Sequence, residues 1–388
     1  MTELLKIKDL HIEGFTDEKW IEIVHGVDLT LSRGEVLGLI GESGAGKSTI
    51  GMASMGYTRQ GCRISSGSIL FDGIELVDAA PQVKKSVRGK RIAYVAQSAA
   101  ASFNPAHRLI KQNAEAPVRH GLMSFSESEK NAIEIYRNLV LPDPENIGYS
   151  YPHLVSGGQL QRAMVAMAMA CRPDIIVFDE PTTALDVTTQ IEVLAAIKSI
   201  TRKYDTAAIY ITHDLAVVAQ LADRIMVLRY GDLVEENDAR EMLANPKEEY
   251  TRQLLSVRTL REDKDLSASE KDVILEAKNI SASYNGKEMV LEDIDLKVRR
   301  GRTVALVGES GSGKSTLARV ITGLLPPLTG KILYRGEKLP PALKSRTRES
   351  LRIMQMIYQM PDTALNPRQK IRKIIGRPLS FYFGMNGR

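Results

Sequence analysis

The stretch GESGAGKST occupies residues 41–49, and GESGSGKST returns at 308–316 with one letter changed. The likeness runs well beyond the loops. LLKIKDLHIEGF matches VILEAKNISASY, VDLTLSRGEVLGLIG matches IDLKVRRGRTVALVG, and IAYVAQSAAASFNP matches MQMIYQMPDTALNP. A spacing of 267 residues (308 − 41) between the loops far exceeds a solenoid unit of about 20–50 residues, so it implies duplicated domains. The charged stretch SVRTLREDKDLSASEKD lacks apolar periodicity and reads as a linker. We therefore expect one complete domain over residues 3–257, a linker over 258–272, and a second domain over 273–388.

At 388 residues the chain has room for two or three cores. Hydrophobic residues at 43% and charged residues at 26% are ordinary globular usage, which excludes a disordered or fibrous chain. The net charge of +5 is spread among 47 acids and reads as a solvated surface, so no nucleic-acid partner is expected. Its densest basic stretch, NPRQKIRKIIGRPLSFYFGMNGR, is either a basic patch or a segment that needs covering. Two cysteines, Cys62 and Cys171, have no ligand spacing and suit a reducing compartment. The first residues, MTELLKIKDLHIEG, lack a signal peptide's blocks, and no apolar run approaches the roughly 18 residues of a spanning helix. Any membrane role must come through a partner.

Short apolar runs such as VLGLIG, IIVFDE and AIYITHD alternate with helical stretches such as GQLQRAMVAMAMAC. That alternation predicts a mostly parallel sheet covered by helices, with the strand ends gathered at one edge where ligands bind. The repeated loop fits G-x-x-x-x-G-K-[ST], after a strand and before a helix. Glycines let backbone N–H groups close around phosphate oxygens, the helix start adds partial positive charge, Lys47 reaches the outer phosphates and Ser48 can hold Mg²⁺. An accidental match arises in about one chain in a hundred of this length, so two matches exclude accident. The phosphate-binding residues are then Gly41, Ser43, Gly44, Gly46, Lys47, Ser48 and Thr49 in the first copy. In the second they are Gly308, Gly311, Gly313, Lys314, Ser315 and Thr316, with Ser315 the metal-holding counterpart of Ser48.

Three further constellations choose among the many uses of such a loop. IIVFDE ends on Asp179, suited to support Mg²⁺, and Glu180, suited to polarise an attacking water. Acids at strand ends are common, so this signal alone decides nothing. ITHD places His213 at another strand end, where a lone histidine is more often structural. VSGGQLQR opens a long helix whose N-terminus suits an anion. A second phosphate-reading helix in one domain needs a second nucleotide, or one offered by another molecule.

With the P-loop, Gln97, SGGQ, FDEP, ALD and THD in this order, residues 3–257 resemble the nucleotide-binding domain of ABC transporters. The resemblance implies an α/β P-loop NTPase fold of ABC ATPase type, with a RecA-like parallel sheet core and antiparallel β and α-helical subdomains. It implies a head-to-tail dimer that sandwiches ATP and Mg²⁺ between the P-loop of one domain and the SGGQ of the other. Ser156, Gly157, Gly158 and Gln159 would contact the γ-phosphate across the interface. Gln97, matched by Gln359 in the second copy, would link γ-phosphate, Mg²⁺ and water to the permease contact. His213 would be the switch residue, Asp186 the dimer-bridging acid, and Phe15, matching Tyr284, the adenine stacker in preference to Trp20. SFNP, ALNP and the segment GDLVEENDAREMLANPKEEYTRQLLS are similar to the peptide and nickel importer branch, although the usual His-Pro before Tyr-Thr-Arg is absent. That branch implies permease subunits, a periplasmic solute-binding protein as an indirect partner, a second nucleotide-binding domain as partner, and a place on the cytoplasmic face of the inner membrane.

The second copy is expected to be incomplete. Pro117 matches Pro378, so a second SGGQ would fall beyond residue 388, and the acidic strand end, ALD and THD are not repeated. One chain would then complete neither composite site, and apolar surface around VALVG would lie uncovered. Two other readings stand beside the importer ATPase. One is an inactive or regulatory remnant. The other is a soluble ABC protein acting on ribosomes or nucleic acid, which the short linker and importer-type tail disfavour.

Overall fold

Strand-forming sequence between residues 3 and 238 is of two kinds, and each kind builds its own sheet. The structure, a computed structural model, describes residues 3–182, 187–256, 273–308, 311–358 and 364–385. The chain divides into two units, residues 1–261 and 262–388.

In the first unit, strands with polar residues on alternate positions form an antiparallel sheet. They are β1 (Glu3–Thr16), β2 (Lys19–Ser32), β4 (Cys62–Phe71) and β5 (Ile74–Glu75), in the order β2-β1-β4-β5. The near-continuous apolar strands form the second sheet, as both faces there are covered. These are β3 (Val36–Ile40), β6 (Ile92–Val95), β7 (Ile175–Asp179), β8 (Ala207–Thr212) and β9 (Arg224–Arg229), edged by β10 (Asp232–Asp238). The order is β10-β9-β3-β8-β7-β6, parallel throughout except for the β9–β10 hairpin.

Side-chain alternation divides the core between the two faces of this sheet. On β7, Ile175 and Val177 join the antiparallel sheet's core, whereas Ile176 and Phe178 face the helices. Ten helices accompany the described part of this unit. They are α1 (Lys47–Ala53), α2 (Pro81–Val87), α3 (Ala99–Ser102), α4 (Leu109–Arg119), α5 (Phe125–Asn138), α6 (Gly157–Met169), α7 (Val187–Lys203), α8 (Leu215–Leu221), α9 (Ala239–Ala244) and α10 (Glu249–Ser256). Capping boxes start two of them, with Ser124 and Glu127 at α5, and Ser156 and Gln159 at α6. Gly38 lets α8 press on β3, because a Cβ there would lie 2.5 Å from Val218 Cγ1.

The second unit carries an antiparallel sheet of matching order, β12-β11-β13-β14, from β11 (Val273–Ala282), β12 (Leu291–Arg299), β13 (Thr329–Tyr334) and β14 (Glu337–Lys338). Its P-loop helix is α11 (Lys314–Thr322). No parallel strand pair occurs among the described residues of this unit. Residues 303–307, counterpart of β3, lie outside any strand, and Val307 is 90% exposed. The physical reason is the ladder, since β3 is held between β8 and β9 and no equivalent of either occurs among the described residues of this unit. Ile357, counterpart of the fully buried Val95, is likewise 96% exposed.

Across β1 and β2, His11 Nδ1 lies 2.5 Å from Glu22 Oε1 and Nε2 lies 3.1 Å from Asp9 Oδ1. Asp28 stands behind them, accepting the Asp9 amide at 2.6 Å. The hydrogen bonds to Glu22 and Asp9 raise His11 above its ordinary 6.5. A raised folded-state value stabilises fully below the unfolded value and is lost as pH climbs through the folded one. The melting temperature should therefore fall more steeply for the wild type than for His11→Gln as pH rises above the ordinary histidine value. Parallel melting curves would show that the clamp has no such role.

Candidate functional site

Four parallel strands, β3, β8, β7 and β6, end at one edge of the sheet, and each ends in chemistry. β3 runs into the first glycine-rich loop. Gly41 has φ 150°, and a Cβ there would sit 2.1 Å from the Leu228 carbonyl oxygen, so only glycine lets the loop leave the sheet. Gly46 caps α1 at φ 91°. Glu42, Ser43 and Gly44 form an exposed rim, and Ser48 and Thr49 are half-buried. Lys47 is buried and curls over the loop, donating from Nζ to the Gly41 and Glu42 carbonyls at 2.8 Å each. Burial lowers its pKa, while the nearby Glu180 and Asp179 charges act in the opposite direction.

Asp179 ends β7 and Glu180 follows it. In an unbroken strand they would point to opposite faces. Glu180 instead takes φ 48°, while its amide still donates to Ile211 on β8 at 2.9 Å. Both carboxylates consequently act on Lys47. Asp179, only 5% exposed, accepts from Ser48 Oγ at 2.7 Å through Oδ1 and from the Tyr94 hydroxyl through Oδ2. Glu180 Oε2 accepts from Gln97 Nε2 at 3.1 Å, and Oε1 lies 3.0 Å from His213 Nδ1. The loop, the two acids, the glutamine and the histidine thus form one connected cluster. Gln97 and His213 are exposed, on the side a ligand would approach.

The SGGQ stretch stands apart in its bonding. Ser156 Oγ accepts from the Gln159 amide at 3.3 Å, and Gln159 Oε1 accepts from the Ser156 amide at 3.0 Å. These two residues bond to each other rather than to the P-loop, and Gly157 faces open space. Gly158 is needed for packing, since a Cβ would lie 2.2 Å from Thr189 Cγ2. Phe15 and Trp20 are partners across β1 and β2, with ring centroids 5.2 Å apart and Arg63 stacked 4.2 Å over Trp20. They form one exposed aromatic platform, so the choice of Phe15 over Trp20 separates two halves of a single feature. Asp186 lies outside the described residues.

In the second unit, Gly308, Gly311 and Gly313 have φ of 156°, 90° and 92°, close to those of their counterparts. Lys314 Nζ donates to the Gly308 carbonyl at 2.8 Å, as Lys47 does to Gly41. Ser315 is exposed and Thr316 buried. The Tyr284 hydroxyl lies 3.3 Å from Thr316 Oγ1 and accepts from Arg319 at 2.9 Å, with its ring exposed. Gln359 lies outside the described residues.

Two residues of the first site escape the motif reading. Tyr94 sits mid-strand in β6. Burial, then its bond to Asp179, holds its phenol above the ordinary range, so it is a donor at neutral pH. Tyr250 on α10 accepts from the Glu42 amide at 3.3 Å, with Arg229 stacked 4.6 Å over its ring. A tyrosine inside an apolar strand signals that its hydroxyl needs a partner, but the partner's identity requires the fold.

The profile of the family described as "ABC transporter" matches residues 24–183 and 291–378. The peptidoglycan transport ATP-binding protein YejF of Agrobacterium fabrum is 32% identical, over 98% of this chain and 71% of its own. The glutathione import ATP-binding protein GsiA of Salmonella choleraesuis is 32% identical, over 98% of this chain and 68% of its own. Among solved structures, a dimeric post-hydrolysis state of the ATP-binding cassette MJ0796 bound to ADP and Pi aligns with 61% of this chain and 99% of its own. Its TM-score is 0.55 at 26% identity. The chain belongs to the ABC transporter family, as one of its ATP-binding, ATP-hydrolysing cassette proteins.

Proposed function

We propose that this protein is the ATPase subunit that drives import of peptides or peptide-bearing solutes through a membrane permease. Relatives named for peptidoglycan transport and glutathione import indicate the solute class. No described helix is long and apolar enough to cross a membrane, so the work is passed to permease subunits. The protein would sit peripherally at the cytoplasmic face of the inner membrane, with a periplasmic solute-binding protein supplying cargo.

The observation that carries the reading is the cluster that joins Lys47, Ser48, Asp179, Glu180, Gln97 and His213 at one sheet edge. The glycine-rich backbone and Lys47 would cradle the phosphates of ATP, Ser43 and Thr49 adding donors, with Phe15 and Trp20 offering a stacking surface for the base. The hydroxyl of Ser48 and the carboxylate of Asp179, 2.7 Å apart, are hard oxygen ligands of the kind Mg²⁺ takes, and the Gln97 amide oxygen is a third. Bound there, Mg²⁺ supplies charge neutralisation on the phosphates. Glu180 would accept a proton from the attacking water, and its bonds to Gln97 and His213 hold its carboxylate toward the phosphate side.

Two copies of residues 3–257, or one copy and another ATPase subunit, would pair head to tail. Ser156, Gly157, Gly158, Gln159 and Asp186 of each would then complete the other's nucleotide site. Residues 258–272 read as a linker. Residues 273–388 read as a duplicate of the domain's first part, in which Tyr284, Lys314, Ser315 and Gln359 repeat the nucleotide- and metal-binding positions. The exposed Val304, Leu306 and Val307 favour a second reading for this unit alone: it is an inactive or regulatory remnant.

Glu180→Gln is expected to lower turnover by at least about 10²-fold, as loss of a general base does. It should also accumulate an ATP-bound dimer visible by light scattering. Ser156→Arg should abolish both dimer and turnover. A protein that stays monomeric under ATP and hydrolyses at the same rate with Ser156→Arg would sink the paired-site reading.

A further inference from the structure

We propose that Tyr94 is a positioning residue for the metal-binding carboxylate, its hydroxyl occupying Oδ2 of Asp179 so that Oδ1 is presented beside Ser48. The inference rests on the assignment of Asp179 and Ser48 to Mg²⁺ made above.

β6 pairs in parallel with β7, with Tyr94 opposite Val177. Side chains two apart share a face, so Tyr94, Val177 and Asp179 lie on the same side of the sheet. Tyr94 and Val177 both join the core beneath α1, the helix that carries Ser48. A carboxylate swings about a broad two-fold torsion, and a single donor leaves that swing open. Here two donors from different elements hold the two oxygens: Ser48 from α1 on Oδ1, and Tyr94 from β6 on Oδ2. A carboxylate this buried costs free energy unless its oxygens are bonded, and the phenol meets that need on the side away from Ser48. The phenol thereby leaves Oδ1 as the oxygen directed at the loop serine and the metal.

The second copy supplies an internal contrast. The matched stretches IAYVAQ and MQMIYQ put Met356 where Tyr94 stands. Methionine cannot donate a hydrogen bond, so this position carries no phenol-like donor in the second copy.

The test is made on the full chain carrying Lys314→Ala, which weakens the second loop's own nucleotide binding. A fluorescent ATP analogue is titrated by anisotropy, first in EDTA and then against rising Mg²⁺. Tyr94→Phe, which keeps the ring, should raise the Mg²⁺ concentration for half-maximal binding about tenfold, as loss of an outer-shell partner does, and leave metal-free binding unchanged. Tyr94→Met should behave the same way. Asp179→Asn and Ser48→Ala report on the underlying assignment and should shift the Mg²⁺ midpoint further. If those two shift it and Tyr94→Phe leaves it unchanged or lowers it, the role of Tyr94 is refuted and the metal site stands. Equal loss with and without Mg²⁺ marks a merely structural tyrosine and also refutes the proposal. If Asp179→Asn and Ser48→Ala leave the midpoint where it is, the metal assignment falls and the positioning role falls with it.

Discussion

The parallel ladder β3-β8-β7-β6 is the constraint on which the rest of the first unit depends. Parallel neighbours cannot be joined by tight turns, so every connection must cross back over a face of the sheet, and both faces are covered, one by helices and the other by α1 and the antiparallel sheet. Polar groups are then expelled from the strands and concentrate where the strands end. Residues as distant in sequence as Gly41, Gln97, Asp179 and His213 arrive at a common edge for that reason. Gly38 contributes at the centre of the ladder by letting α8 lie close against β3.

At that edge the charges are mutually dependent. Lys47 is buried in its own loop and bonds two carbonyls, a position that costs desolvation and is offset by the two carboxylates beside it. The left-handed backbone at Glu180 is what makes both carboxylates available, since regular strand geometry would turn one of them away. Such a conformation in a non-glycine residue costs about 1–3 kcal/mol and persists where surrounding structure over-determines it. Here the amide bond to Ile211 and the carboxylate bonds to Gln97 and His213 provide that surrounding hold.

The second unit separates what is local from what is not. The φ angles of Gly308, Gly311 and Gly313 and the lysine-to-carbonyl bond match those of the first loop, even though the preceding segment is not laddered. Loop shape is therefore set by glycines in left-handed conformations and by the helix that follows. Burial of the strand before it depends instead on distant partners, and the exposed Val307 and Ile357 show the consequence. The same contrast holds for the helix Ile371–Phe383: Ile371 is 63% exposed, whereas its counterpart Ile110, on α4 against α5 and α6, is 3% exposed.

The amino-acid sequence by itself determined the repeat, the phosphate loops, the apolar strands and the acids, glutamine, histidine and SGGQ proposed for the chemistry. These are written in short windows, where residue type and spacing act directly on backbone conformation. Only the tertiary structure decided that Phe15 and Trp20 share one platform, that Asp179 and Glu180 converge on Lys47, and that Tyr94 and Tyr250 touch the site. Each of these depends on strand pairing and on one or two backbone angles. Such contacts join positions far apart in the chain, and no local pattern of residues encodes which distant strand will lie alongside.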